Sequence, residues 1–150
     1  MFEIVTTFKD EMLSEDIKKG QPETIGIWLQ DELNCYPQTD WLDNGLILLS
    51  WWTVTWQSLA NSQPNQGISF MEGPYLLVAE QDLNGNIILS DIKNNINFKI
   101  SLEDFGKQLR KAINKVIRHF QSLNLRSDNL DALPKCLNII DSELKKLKAT

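Results

Sequence analysis

The side chains that could carry covalent or metal chemistry are few and scattered. The chain of 150 residues holds one histidine, His119, and two cysteines, Cys35 and Cys136. A zinc centre needs three or four nitrogen or sulfur ligands at recurring spacings, and these three residues offer none. A Cys–His nucleophile would require the fold to carry His119 to Cys35, and a lone residue of each type is thin support for that. Asp40, Asp43 and Asn44 gather oxygens within one loop but lack the ordered spacing and terminal Glu of a calcium site, so turn formation is their expected role. Asp31 and Glu32 are adjacent carboxylates, and adjacency alone does not make an acid–base pair. No Gly-x-Gly-x-x-Gly and no phosphate loop occurs among the seven glycines. The expectation is a non-enzymatic chain with no catalytic residue, no metal and no cofactor. The two cysteines are expected to be reduced, although their spacing alone leaves a Cys35–Cys136 disulfide open.

Charge and aromatic residues direct attention to binding instead. The net charge is −5, unevenly spread: residues 1–50 hold ten acids and three bases, residues 101–150 six acids and ten bases. One basic run, Lys107, Arg110, Lys111, Lys115 and Arg118 with Arg126 beyond it, would be the electrostatic footprint for nucleic acid. No aromatic residues interleave with it and the whole chain is acidic, so nucleic acid is not an expected partner. Solvated faces account for the asymmetry, and so does an acidic surface that steers a basic protein partner.

Five tryptophans are present, four of them between positions 41 and 56. Core packing is the ordinary use of aromatics at helical spacing. Trp51 and Trp52 are adjacent, however, and on a helix adjacent side chains diverge by about 100°, which sets one of them at the edge of the core. The sequence leaves open which of Trp51, Trp52 and Trp56 belong to the core and which to an interface. Trp41, in an acidic loop, is the tryptophan expected to be exposed. An exposed aromatic among acids suits a protein-binding surface, so Asp31, Glu32, Asp40, Trp41 and Asp43 are the expected partner-binding residues.

The elements that must position these residues are organised around 75–123. Tyr75–Glu80, Asn86–Ser90 and Ile96–Ile100 read as a three-strand meander, with Asn84-Gly85 and Lys93–Asn95 as turns. Leu102, Phe105, Leu109, Ala112, Ile113, Val116, Ile117, Phe120 and Leu123 then follow helical spacing, with Ser101 as N-cap and Asp104 completing a capping-box pattern. Gly106 is the one poor helix former in that stripe, and its bare Cα invites close approach by another element. Leu130 to Leu147 step along a second amphipathic helix, with Pro134 expected in its first turn; a short link predicts antiparallel packing of the two. Upstream, residues 2–8 and 24–30 read as strands, the second because Ile25, Ile27 and Leu29 alternate, although Trp28, Leu29 and Leu33 would also share a side of a helix; a short helix around Asp10–Leu13 lies between them, and an irregular connection follows over 34–45. The stretch 46–60 is ambiguous. Its composition favours strand, whereas Trp52, Trp56 and Leu59 favour helix; a short strand over 46–49 and a helix from an N-capping Ser50 to Ala60 is the expectation.

The predicted fold is thus a single α+β domain over 1–150. It has an antiparallel sheet (meander) of four to six strands, two C-terminal amphipathic helices and a shorter Trp-rich helix. No stretch reaches the roughly 20 apolar residues of a membrane span, and no signal peptide is evident, so a cytoplasmic location is expected.

Trp41-Leu42-Asp43-Asn44-Gly45, Ser50-Trp51-Trp52 and Met71-Glu72-Gly73-Pro74-Tyr75, followed by hairpin and helix, give residues 40–123 a pattern. It resembles small bacterial immunity proteins of polymorphic-toxin and contact-dependent inhibition systems. That resemblance implies a short, acidic, cytoplasmic protein that binds and blocks a toxin domain; it assigns no functional residue. The leading expectation is an immunity protein with a basic toxin domain as partner. The alternatives are a module that forms a homodimer through its Trp-rich segment, or a small enzyme whose site is assembled from distant residues.

Overall fold

The computed structural model describes residues 1–64 and 66–149. In chain order the elements are β1 (Glu3–Thr7), α1 (Asp10–Lys18), β2 (Ile25–Gln30), β3 (Cys35–Tyr36), β4 (Leu42–Asp43), α2 (Gly45–Ala60), β5 (Gln66–Ser69), β6 (Leu76–Gln81), β7 (Asn86–Asp91), β8 (Ile96–Ser101), α3 (Leu102–Ser122) and α4 (Asp128–Lys148). The class is α+β, with an antiparallel meander, two C-terminal helices and a shorter Trp-rich helix. The strands form two antiparallel four-stranded sheets rather than one. β1 and β3 flank β2, which also pairs with β4, while β5 to β8 follow in sequence order. The two short strands lie inside the 34–45 connection, too brief to produce an alternating pattern.

Helix α3 follows its sequence closely. Ser101 accepts a hydrogen bond from the Asp104 amide at 3.0 Å, and Leu102, Phe105, Leu109, Ala112, Ile113, Val116 and Phe120 are buried. α4 packs along α3. A salt bridge joins Arg110, one turn into α3 from Gly106, to Asp141 in the second half of α4 at 3.3 Å, which fits the antiparallel expectation. α4 begins at Asp128 because Ser127 caps the Leu130 amide at 3.1 Å. Pro134 therefore falls in the second turn, not the first, and withholds an amide from the Leu130 carbonyl.

α2 is where the sequence-based expectation fails most. It starts at Gly45, so 46–49 is helix and Ser50 is no cap but an interior residue beside the Cys136 thiol, 3.7 Å away. The 16 residues include no charged side chain. Buried residues lie on several sides of α2, because α3, α4 and β5 all pack on it. Apolar residues on several sides hide the 3.6-residue period. Two glycines allow the close approaches. A Cβ on Gly45 would stand 2.3 Å from Ile25 Cγ1, and one on Gly106 would stand 2.4 Å from Trp56 Cζ2. Trp56 is fully buried, and its indole donates to the Leu102 carbonyl at 2.8 Å. α1 also runs to Lys18, past the expected Leu13, because Leu13 is buried and Ile17 packs against the core.

Helices and turns close the sheet edges. The α3 side chains of Gln108 and Lys115 bond the Ile4 amide and the Thr6 carbonyl of β1. From α2, Trp52 and Thr55 donate to the Ser69 and Gly67 carbonyls of β5 at 2.8 and 3.1 Å. Asn34 donates to the Asn97 carbonyl of β8 at 3.0 Å. Exposed strand edges recruit other chains, and these side chains occupy such positions.

Two substitutions test this packing. Gly106→Ala gains about 1 kcal/mol of helix propensity but forces a methyl into the Trp56 ring, so the variant should be about 1–3 kcal/mol less stable in urea titration; equal or higher stability would contradict the close approach. The buried Thr6 hydroxyl has no hydrogen-bond partner among the described residues. Thr6→Val should therefore hold or raise stability by about 1 kcal/mol, and a clear loss would show that the hydroxyl is satisfied in solution.

Candidate protein-docking face

The residues with chemical potential are held apart. Both cysteines are free thiols. Cys35 lies 3.4 Å from Thr39 Oγ1, Cys136 beside Ser50, and His119 stacks on Phe8 with its Nε2 2.6 Å from Asp10 Oδ1. Among the described residues no three His, Cys, Asp or Glu side chains converge as metal ligands. No helix there is long and apolar enough to cross a membrane.

The five expected partner-binding residues separate into two groups. Asp31 and Glu32 stand at the end of β2. Asp31 accepts the Leu33 and Asn34 amides at 2.9 and 2.7 Å, forming the turn, and exposed Glu32 pairs with the Met1 amine. Asp40, Trp41 and Asp43 lie toward the other end, where Leu42 pairs with Gly26, about 13 Å along the strand. Asp40 is exposed, at a φ of 64°. Asp43 is buried, and its carboxylate accepts the Trp41 indole at 3.0 Å and the Asn44 and Glu72 amides at 2.7 and 3.1 Å. Trp41 is half-buried, not the exposed tryptophan, because its ring packs edge-on against Tyr75 at 5.1 Å.

Behind Trp41 runs a chain of edge-to-face aromatic contacts through Tyr75, Tyr36, Phe70 and Trp52. Tyr36 joins the two sheets. Its hydroxyl donates to Asp91 at 2.6 Å and accepts the Leu76 amide at 3.0 Å. Burial first, then Asp91, pushes the Tyr36 hydroxyl well above its ordinary range. The Tyr36 hydroxyl first, then Asn94, holds the Asp91 carboxyl below the usual carboxylate range.

The exposed tryptophan is Trp51. Trp28, Trp41, Trp52 and Trp56 each place the indole N–H on an acceptor. Among the described residues Trp51 alone does not, and it is 46% exposed, with Val54 57% exposed one turn on. With half-buried Ile47 they form the side of α2 that α3, α4 and β5 leave uncovered. β5 stands between α2 and β6 of the second sheet. Thr55 ties α2 to Gly67, Val78 pairs with Gly67, and a Cβ on Gly67 would stand only 2.9 Å from Leu76 Cδ1. Leu76 and Val78 are themselves exposed, as is Met71, whose sulfur lies 3.5 Å from the Asn44 amide nitrogen where α2 begins. Glu72 and Glu80 are the exposed acids of the same segments. The sequence signal for this face was the Trp51-Trp52 pair; the extension of the helix back to Gly45 adds Ile47 to the side of Trp51 and Val54.

The Tyr36–Asp91 bond predicts a pH profile. Asp91 titrates lower in the folded than in the unfolded chain, so its contribution is present above the ordinary value of about 3.9 and is lost as pH falls through the folded value. Tyr36 titrates higher when folded, so its contribution is present below about pH 10 and is lost as pH rises. Tyr36→Phe should cost about 1–3 kcal/mol at neutral pH, because the Leu76 amide loses its acceptor. It should also remove the alkaline loss and flatten the acid one in urea midpoints. An unchanged profile would separate Asp91 from Tyr36. Comparison of the chain with protein-family models, with curated proteins and with solved structures finds no match.

Proposed function

We propose that this protein is a non-enzymatic protein-binding protein, an immunity protein that neutralises a cognate bacterial toxin in the cytoplasm. The observation that carries the reading is the fourth side of α2. A helix apolar all round is ordinarily covered all round, and here Trp51 and Val54 face solvent. Interfaces concentrate their energy in such aromatic anchors, and acidic margins speed encounter with a basic partner. Asp40, Glu72 and Glu80 are exposed and the chain is net acidic, at −5. The resemblance of residues 40–123 to immunity proteins supplies the toxin as the partner.

The test is capture from the native host with the wild-type protein and with Trp51→Ala as baits. The wild type should recover a stoichiometric protein carrying a basic toxin domain, and Trp51→Ala should bind it at least about tenfold more weakly, as for a hot-spot aromatic. Asp40→Lys with Glu72→Lys should slow association and reduce its salt dependence; Asp43 is unsuitable, since its buried carboxylate holds the loop. Equal binding by all three proteins would remove this face. A second copy on the same apolar strip is the alternative, and a dimer that Trp51→Ala dissociates in sedimentation would favour it.

A further inference from the structure

A groove between the end of β1 and the middle of α3 uses none of the docking-face residues. It is an open hollow of about 610 Å³ lined by Phe8, Lys111, Asn114, Lys115, Arg118 and His119. Lys111, Lys115 and Arg118 follow one another at four- and three-residue steps and so share a side of the helix. Phe8 and His119 stack with centroids 4.1 Å apart. Asp10, the carboxylate at the groove's margin, is committed to the His119 imidazole. Lys115 donates to the Thr6 carbonyl and stands 5.8 Å from the Phe8 centroid, which fixes the ammonium without neutralising it.

The pairing of cations along α3 is selective. Lys107 is bonded to Glu103 at 3.1 Å and Arg110 to Asp141 at 3.3 Å, both outside the groove. Among the described residues Lys111, Lys115 and Arg118 have no acidic partner, although the chain carries 20 acids to 15 bases. Three uncompensated cations around one hollow in an acidic protein are the arrangement that a bound anion completes. From Lys111 to Arg118 is roughly 10 Å of helix axis, too far for one carboxylate and suited to linked phosphates, whose oxygens an arginine takes in pairs.

We infer that this groove binds a small soluble anion carrying two or more linked phosphate groups. The inference is independent of the toxin-binding reading and needs no partner for its test. The probes are inorganic pyrophosphate and metal-free ATP, titrated onto the intact protein while the imidazole resonances of its single histidine are followed. Saturation with a Kd below about 1 mM and movement of the His119 signals are expected. Lys111→Gln with Arg118→Gln should weaken binding at least about tenfold, whereas Lys107→Gln with Arg110→Gln should change it less than about twofold; circular dichroism should show both variants folded. Tighter binding of ATP assigns the aromatic wall to a nucleoside, and equal binding assigns the site to inorganic polyphosphate; both support a phosphate site. No saturation by about 10 mM of either probe, or equal losses in the two variants, would overturn it.

Discussion

Everything in this structure depends on how closely α2 can lie against α3. Trp56 fills the space that a side chain on Gly106 would occupy and donates its indole N–H to the Leu102 carbonyl in the first turn of α3. That contact sets the depth of α2. At this depth Trp52 and Thr55 reach the edge of β5, Gly45 rests on Ile25 of β2, and α4 packs along α2 as well as along α3. α3 in turn delivers Gln108 and Lys115 to the edge of β1. The bare Cα of Gly106 is what admits Trp56 of α2 to the surface of α3.

The face proposed for docking rests on the same packing. An uncharged helix wedged between two others and a strand has no need of a polar face on three sides. On the fourth side Trp51 and Val54 stay exposed, and beyond β5 so do Leu76 and Val78 of β6. Other polar groups are satisfied internally: edge groups of β1, β5 and β8 by side chains of α3, α2 and the loop residue Asn34, four tryptophan N–H groups by acceptors, Asp43 by its own loop. Two features are left without such partners among the described residues: the exposed side of α2 and the unpaired cations Lys111, Lys115 and Arg118 on α3. These two features lie on different elements and call for different chemistry, one for a protein surface and the other for a phosphorylated anion.

Much of this was legible in the residues. The α3 stripe, its Ser101 cap, the meander with its Asn84-Gly85 turn and the unusual role of Gly106 all follow from local periodicity, because each element buries a single face. α2 was not legible at its N-terminal end, because apolar residues on all its sides erase the period and leave only a strand-like composition. The division into two sheets was hidden as well, since β3 and β4 are two residues each. The same limit applied to the site. Trp41 reads as exposed because its neighbours in sequence are acids, yet Tyr75, more than thirty residues away, covers it, and Asp43 is drawn inward by amides that include Glu72. The divergence of Trp51 from Trp52 was readable from helical geometry alone; which of the two faces solvent required knowing where β5 lies.

The proposal that a protein partner docks on the uncovered side of α2 is tested most directly by hydroxyl-radical footprinting of the protein alone and in complex with a partner recovered from the native host. Trp51 and Met71 are readily oxidised residue types placed in the proposed face. Both should lose most of their reactivity in the complex while Phe8 and His119 in the α3 groove keep theirs. Full reactivity of Trp51 and Met71 in a complex that shields other residues would contradict it.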